Sequence, residues 1–472
     1  MEVTWRQAIA LVGLTVAGLW LPAASAQPCE PHWSALENDM DNYVRAVLVY
    51  DDDGPGPDQP AVYAGGQFTV AGGCVANGIA KWDGAVWSPL GSGTQGFGAL
   101  ALAAFDDGTG PALYAGGSFS SAGGVPANNI AKWNGTSWSP LGSGTNDWVI
   151  ALAVLDDDGP GPHAPALYVG GFFSAAGGVG AHNIAKWNGT SWSPLGNGLS
   201  NPGHVYALWA WDDDGPGPHL PALYVGGYFT TAGGVSAHNV AKWDGTSWSP
   251  LGSGLGNEVY AFTEFDDDGD GIPSLFVGGM FWMAGSLRVN SIARWDGSSW
   301  SALGVGMNHI IHALTVFDDD GPGPHPPMLY AGGYFTAAGG HPANYVAKWN
   351  GRQWWPLGSG TNYWVMALKN FDPDGDGPEP PQLITGGRFT SAGGIFAPRI
   401  AAWTSPCAFQ GDMNCDSVLD ALDIRAFMLA MIDPSAYAAA YPSCDRMLGD
   451  FNGDGSVDML DLQPFLEELI GN

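Results

Sequence analysis

Trp82, Trp133, Trp187, Trp243, Trp295, Trp349 and Trp403 hold the same place in a recurring block, separated by 51, 54, 56, 52, 54 and 54 residues. A chain that copies itself seven times at this period folds as stacked or radially arranged units. In the copy around Trp243, Asn239-Val-Ala-Lys-Trp243 and Thr246-Ser-Trp-Ser-Pro-Leu251 are short β-type runs around Asp244-Gly245. Asn-Gly takes that place at 134–135, 188–189 and 350–351. The spacing predicts a two-residue hairpin turn with positive φ at both turn positions. Upstream, Pro221 to Phe229 reads as another strand, whose Gly226-Gly227 pair allows a bulge or close packing. Val205 to Trp211 reads as the first strand. Four antiparallel strands per unit make a propeller blade.

The blade count closes only if the two ends of the repeat region share a unit. Trp33-Ser34-Ala35-Leu36 matches Trp87-Ser88-Pro89-Leu90 one period later, as the last strand of a blade whose other strands are missing from that end. The seventh unit has Gly386-Gly387, Phe389 and Trp403 but lacks its last strand. The expected fold is therefore an all-β, seven-bladed propeller over residues 27–407, closed by its N-terminal strand, which removes unpaired sheet edges. Cys407 follows the third strand of the split blade and Cys29 precedes its fourth, so a disulfide there would staple the ring. Cys415 with Cys444 would make a second bridge, leaving Cys74 as a buried small hydrophobe.

Composition supports a folded and exported chain. Gly is 72 and Pro 35 of 472 residues, yet Trp alone is 22, which a disordered low-complexity chain would lack. The formal charge of −31 disfavours nucleic acid and anionic lipid and favours cations or a basic partner. Arg6, the apolar run from Ala8 to Leu21 and the small Ala24-Ser25-Ala26 make residues 1–26 an expected signal peptide. The expected location is secreted or cell-surface, extracellular or periplasmic, with no membrane span after cleavage.

What varies round the ring is where binding can live. Each first strand reads x-Ala-Leu or close to it, with x being Arg45, Leu100, Ile150, Tyr206, Tyr260, His312 and Met366. Two residues earlier stand Tyr43, Gly98, Trp148, His204, Glu258, Ile310 and Trp364. With the first strand innermost, these positions ring one mouth of the central channel. Trp148, Tyr206, Tyr260 and Trp364 are the candidates for stacking on a polysaccharide or anchoring a protein loop. The alternative is that they plug the channel and shield its rim. Between first and second strands lies an Asp-Asp-Asp-Gly-Pro-Gly-Pro loop, read as a solvated turn with backbone caps. Its variants Asp266–Asp270 and Asp372–Asp376 place carboxylates at alternate positions, which can wrap calcium. No nucleophile, metal-helix or phosphate-loop motif is present, although a carboxylate pair for glycoside hydrolysis remains open.

After Cys407 tryptophan disappears, and residues 408–472 carry 12 acidic against 2 basic residues. Two twelve-residue loops there repeat oxygen ligands at positions 1, 3, 5, 9 and 12, with a carbonyl at position 7. These are Asp412, Asn414, Asp416, Val418, Asp420 and Asp423, then Asp450, Asn452, Asp454, Ser456, Asp458 and Asp461. Each loop gathers four carboxylates and runs into an amphipathic helix, so two calcium ions and a small α-helical domain with two EF-hand-like loops are expected.

This tandem resembles the dockerin type I module. The resemblance implies calcium-dependent docking onto a cohesin-like or other scaffold or surface protein. It departs at Ser417, where glycine is usual, and at Ala421-Leu422 and Met459-Leu460, the pairs that would carry partner recognition. The repeats resemble the Trp-Asp-Gly propellers of planctomycete-type secreted proteins and fungal cortical markers, which implies fold and not activity. The expectation is a non-catalytic binding and assembly protein. A polysaccharide-active hydrolase or lyase and a structural surface protein are the alternatives.

Overall fold

The computed structural model describes residues 31–472 except 37–39, 53–58, 158, 160–163, 201, 214–219, 268, 270, 320–325, 374–379, 405–412, 414–420, 442–445, 450, 452–455 and 472, and except the side chains of 421, 447, 448 and 467–471. Residues 1–26, the expected signal peptide, and Cys29, Cys407, Cys415 and Cys444 therefore lie outside the described residues. So do Asp270, Asp374, Asp376 and the loop residues Asp412, Asn414, Asp416, Val418, Asp420, Asp450, Asn452 and Asp454.

Seven antiparallel sheets arise from the repeats, each ordered first to fourth strand. In blade one these are Val44–Tyr50, Ala61–Gly66, Ile79–Trp82 and Trp87–Pro89. The first strands touch one another in cyclic order, and Val365–Phe371 of blade seven returns against Val44–Tyr50, so they form the innermost ring. The seventh sheet is completed by His32–Ala35, which pairs antiparallel with Ile400–Thr404, setting Trp33 opposite Trp403 and Ala35 opposite Ala401. The split repeat closes the circle as expected.

Apolar burial is radial: seven clusters each bridge two neighbouring blades, among them Val44, Val62, Phe371 and Ile384 between blades one and seven. The repeated indoles supply direction. Each fourth-strand Trp donates its Nε1–H to the Leu carbonyl that ends the preceding blade, as Trp138 to Leu90 at 2.9 Å and Trp248 to Leu195 at 3.0 Å. Trp87 reaches Leu36 of the N-terminal strand, and Trp33 reaches Leu357 at 3.4 Å, completing the circuit. A buried bond of this kind contributes about 1 kcal/mol net and costs more when one partner is lost.

Three local readings change. Trp82 pairs with Trp87, so the outer hairpin loop has four residues, and positive φ occurs at Gly84 and not at Asp83. The aspartate or asparagine side chain takes over: Asn134 Oδ1 accepts the amides of Thr136 and Ser137, which closes the turn without a second left-handed residue. Cys74 is exposed, because its two-residue ribbon strand stands proud of the blade. The acidic loop is more than a solvated turn. Its second aspartate folds under and binds the lysine that precedes the repeated Trp, as Asp107 to Lys132 at 2.7 Å and Asp52 to Lys81 at 2.7 Å. The same carboxylates accept the hydroxyls of Tyr114 and Tyr63, both at 2.7 Å. Blade five substitutes Arg294 on Asp267 and has Phe276 in place of the tyrosine. Blade seven loses all three at once, with Pro373, Ile384 and Ala402.

Beyond the propeller, helices α1 (Ala421–Ile432), α2 (Pro434–Ala440) and α3 (Leu462–Gly471) are formed. They bury Met413, Phe427, Tyr437, Val457 and Phe465, and Phe427 stacks on Phe465 at 4.5 Å. The sequence reading lacked α2, whose signal is Asp433-Pro434: Asp433 caps the amide of Ala436, and proline suits a first helical turn. No helix among the described residues is long and apolar enough to cross a membrane.

Candidate functional site

Each innermost strand carries one extra residue opposite the glycine pair of its neighbour. The register jumps from Val44 to Ala46, Val205 to Ala207, Val259 to Ala261 and Ile311 to Ala313. The bulged residue is therefore the variable x of the repeat, and the glycines make the bulge fit. A Cβ on Gly66 would lie 2.2 Å from the Tyr43 carbonyl oxygen, and one on Gly170 would lie 2.4 Å from Val205 Cγ1 of the next blade.

The bulges and their neighbours form an aromatic belt that touches every blade. Phe97 meets Trp148 at 5.7 Å, Trp148 stacks on Phe172 at 5.8 Å, and Phe172 meets His204 at 4.3 Å. Tyr206 follows His204, then Tyr260 at 4.9 Å, His312 at 5.1 Å and Trp364 at 5.7 Å. Trp364 packs on Tyr334 at 4.7 Å and stacks on Tyr363 at 5.6 Å. The Arg388 guanidinium lies 5.4 Å from the Trp364 ring and 4.3 Å from that of Tyr43, which brings the belt back to blade one. All four sequence candidates, Trp148, Tyr206, Tyr260 and Trp364, are half-buried members of it.

The belt is polar as well as flat. Trp364 Nε1, His204 Nδ1 and both ring nitrogens of His312 are buried with no hydrogen-bond partner. Burial, with a further push from Arg45, brings His312 down to about 3, so the ring is neutral at ordinary pH. Burial also lifts Tyr206 to about 12, and burial together with a hydrogen bond to Glu258 lifts Tyr260 further, so both stay protonated. Arg45 projects from blade one into the channel. Burial lowers its pKa, and it feels Tyr260 and Tyr206 of the far side as well as Tyr43 and Arg388. Backbone strain sits at the same rim: Tyr345, stacked on Tyr334 at 6.1 Å, has a φ of +68° where blades one to four use glycine or asparagine and blades five and seven use Ser291 and Arg399.

On the opposite face, a cleft of about 1010 Å³ opens between blades five and six, lined by Glu264, Asp266, Asp267, Pro326, Pro327 and Trp355. Burial raises the Glu264 carboxyl. Of the acidic segment proposed for calcium there, Asp266 accepts the amides of Gly269 and Gly271, and Asp267 is tied to Arg294.

In the C-terminal region Asp423 and Asp461, the expected closing ligands, are both fully buried. Asp461 accepts the Phe451 amide at 2.8 Å and the Asp458 amide at 2.9 Å, which fixes its carboxylate between loop and helix. A buried carboxylate positioned by backbone amides, in an oxygen-only donor set, fits a hard divalent cation such as calcium. Leu422, Met459 and Leu460, of the two pairs expected to carry recognition, are exposed by 63%, 64% and 69%, while the side chain of Ala421 is outside the described residues.

Sequence reasoning missed Phe172, Tyr334 and Arg388. All three follow a glycine pair, where the copies read Gln67, Ser118, Phe172, Tyr228, Met280, Tyr334 and Arg388, and that variability between invariant neighbours was the available signal. It missed the cleft too, although Trp355 stands where every other copy has serine.

No protein-family profile and no curated protein matches the chain. Solved structures similar to it include the extracellular domain of a hybrid two-component system from B. thetaiotaomicron, with 11% identity, a TM-score of 0.44, and coverage of 79% of this chain and 39% of that one. A GH74 enzyme from Niastella koreensis matches at 15% identity and a TM-score of 0.44, covering 79% of this chain and 55% of that one. Saccharomyces cerevisiae Sqt1 matches at 12% identity and a TM-score of 0.43, covering 79% and 98%. The chain spans less than two thirds of the length of the first two.

Proposed function

We propose that this is a non-catalytic binding and assembly protein. The channel mouth takes a polysaccharide, and the module at 408–472 docks through calcium onto a scaffold or surface protein. The carrying observation is the belt with its unpartnered polar atoms at His204, His312 and Trp364. A buried polar group without a partner costs about 1–3 kcal/mol, which hydroxyl groups of a bound ring would offset while its faces stack on the indoles. Export and a cell-surface location belong to the same reading.

The hydrolase alternative has its own support in the cleft between blades five and six, where Glu264 is held toward its neutral form and Asp267, paired with Arg294, also lines the wall. A protonated and an ionised carboxyl are what glycoside hydrolysis uses. One experiment separates the two. Oligosaccharide arrays should retain the full chain, and Trp148→Ala with Trp364→Ala should weaken retention at least tenfold without a change in melting temperature. Unaltered retention by that variant sinks the mouth as the binding site, and reducing sugar released from the retained ligand replaces binding with catalysis.

A further inference from the structure

Six blades spend their basic residue on their own acidic loop. Lys81, Lys132, Lys186, Lys242, Arg294 and Lys348 each close on a loop aspartate. Arg45 and Arg388 do not, and among the described residues neither makes an ion pair. They come from adjacent blades, one and seven, and both face the belt: Arg388 over Tyr43 and Trp364, and Arg45 among Tyr43, Tyr206 and Tyr260. The carboxylate at this rim, Glu258, is engaged by the Tyr260 hydroxyl. Beside Arg45 sits His312, deeply buried and neutral, with one N–H and one lone pair unused.

A guanidinium partly withdrawn from water without a counter-charge is unfavourable, and the like charge of Arg388 nearby makes Arg45 worse placed. In a chain of net charge −31 with 46 acidic residues, no acidic residue among the described ones pairs with Arg45 or Arg388. The Tyr206 hydroxyl remains protonated and can donate, whereas that of Tyr260 is spent on Glu258. The site is thus built for a negative group and lined with stacking faces: Tyr363 and Trp364 lie within 12° of parallel, Trp148 and Phe172 within 15°. Planar platforms around a single cationic centre suit a pyranose ring that bears a carboxylate.

We infer that the channel mouth recognises a carboxylated sugar, its carboxylate seated on Arg45 and its ring on the belt. This rests on the binding reading above and adds the ligand's charge to it. The guanidinium makes a bidentate pair with the carboxylate, Arg388 adds a second positive charge across Tyr43, and the imidazole of His312 meets a hydroxyl.

Titration calorimetry on the full chain tests this, with chelator present so that calcium bridges to the acidic surface do not count. The probes are hexagalacturonate, neutral cellohexaose and hexaglutamate. Hexagalacturonate should bind, and more weakly as salt rises. Arg45→Gln should lose at least tenfold in affinity, and Arg45→Lys should fall between. Arg388→Gln gives the same reading if the Arg45→Gln protein melts early. Cellohexaose binding as tightly as hexagalacturonate, unchanged by Arg45→Gln, overturns the inference while the belt remains a sugar site. Hexaglutamate binding in place of hexagalacturonate overturns it in favour of an acidic protein partner. Binding of none of the three overturns both the inference and the mouth as a ligand site.

Discussion

Asp107 shows how one residue type builds the acidic loops and why its role was half visible. Burial alone would raise its carboxyl, but bonds from Lys132, Thr109 and Tyr114 outweigh this and bring it from 3.8 to about 2. Because the folded value lies below the unfolded one, its contribution is fully present above about pH 4 and is lost as pH falls through about 2. Asp107→Asn should therefore cost about 1–2 kcal/mol at neutral pH and reduce the acid loss of stability between pH 4 and 2. Urea titrations across that range check both, and an unchanged acid slope would count against the clamp. Asp244 and Asp296 are also held at about 2, so the slope is lessened and not abolished. The clamp was legible in principle, since Asp, Tyr and Lys vanish together as Pro373, Ile384 and Ala402 in blade seven. Reading one copy at a time hid it. The depth of Arg45 was not legible, because it depends on a long side chain reaching across a ring that only closure creates.

Among the elements, the strand His32–Ala35 has the largest effect for its length. It supplies the fourth strand of blade seven, the Trp33–Trp403 contact at 5.3 Å, and the bond from Trp33 to Leu357. Trp33→Phe should lower stability by roughly 1–3 kcal/mol by leaving the Leu357 carbonyl unpaired. Deleting residues 27–36 should do far more, since Ile400–Thr404 becomes an exposed edge and the ring opens. Calorimetry and light scattering report both, and a deletion protein that melts like the parent refutes closure by this strand. Closure and blade count were read from the chain because a strand's pattern survives being displaced to the other terminus. The residue after each glycine pair was not, because the bulge turns it beside the variable x position and not below it. Alternation alone cannot show that.

For the whole molecule, the two regions answer to different solvents. The propeller is held by seven apolar interfaces between neighbouring blades. The module at 408–472 packs a small cluster around Phe427 and Phe465 with net like charge about it. A core this small is marginal against conformational entropy unless metal joins its loops. Hydrogen exchange on the full chain should show calcium protecting α1 and α3 while the innermost strands stay unchanged. Asp461→Ala should damage that response more than Asp423→Ala, because the first loop already departs at Ser417. Equal protection with and without calcium removes the metal-dependent docking.

In every other blade the chain turns back after its third strand, but in blade seven it leaves from there. Ile400–Thr404 lies between Gln382–Gly387 on one side and His32–Ala35 on the other. A protein fixed by its tail and loaded at its mouth would carry tension through this strand. The pull runs along two ladders of backbone bonds at once, so they must shear together and cannot be opened one by one. The seam where the ring was joined would then bear the load in shear.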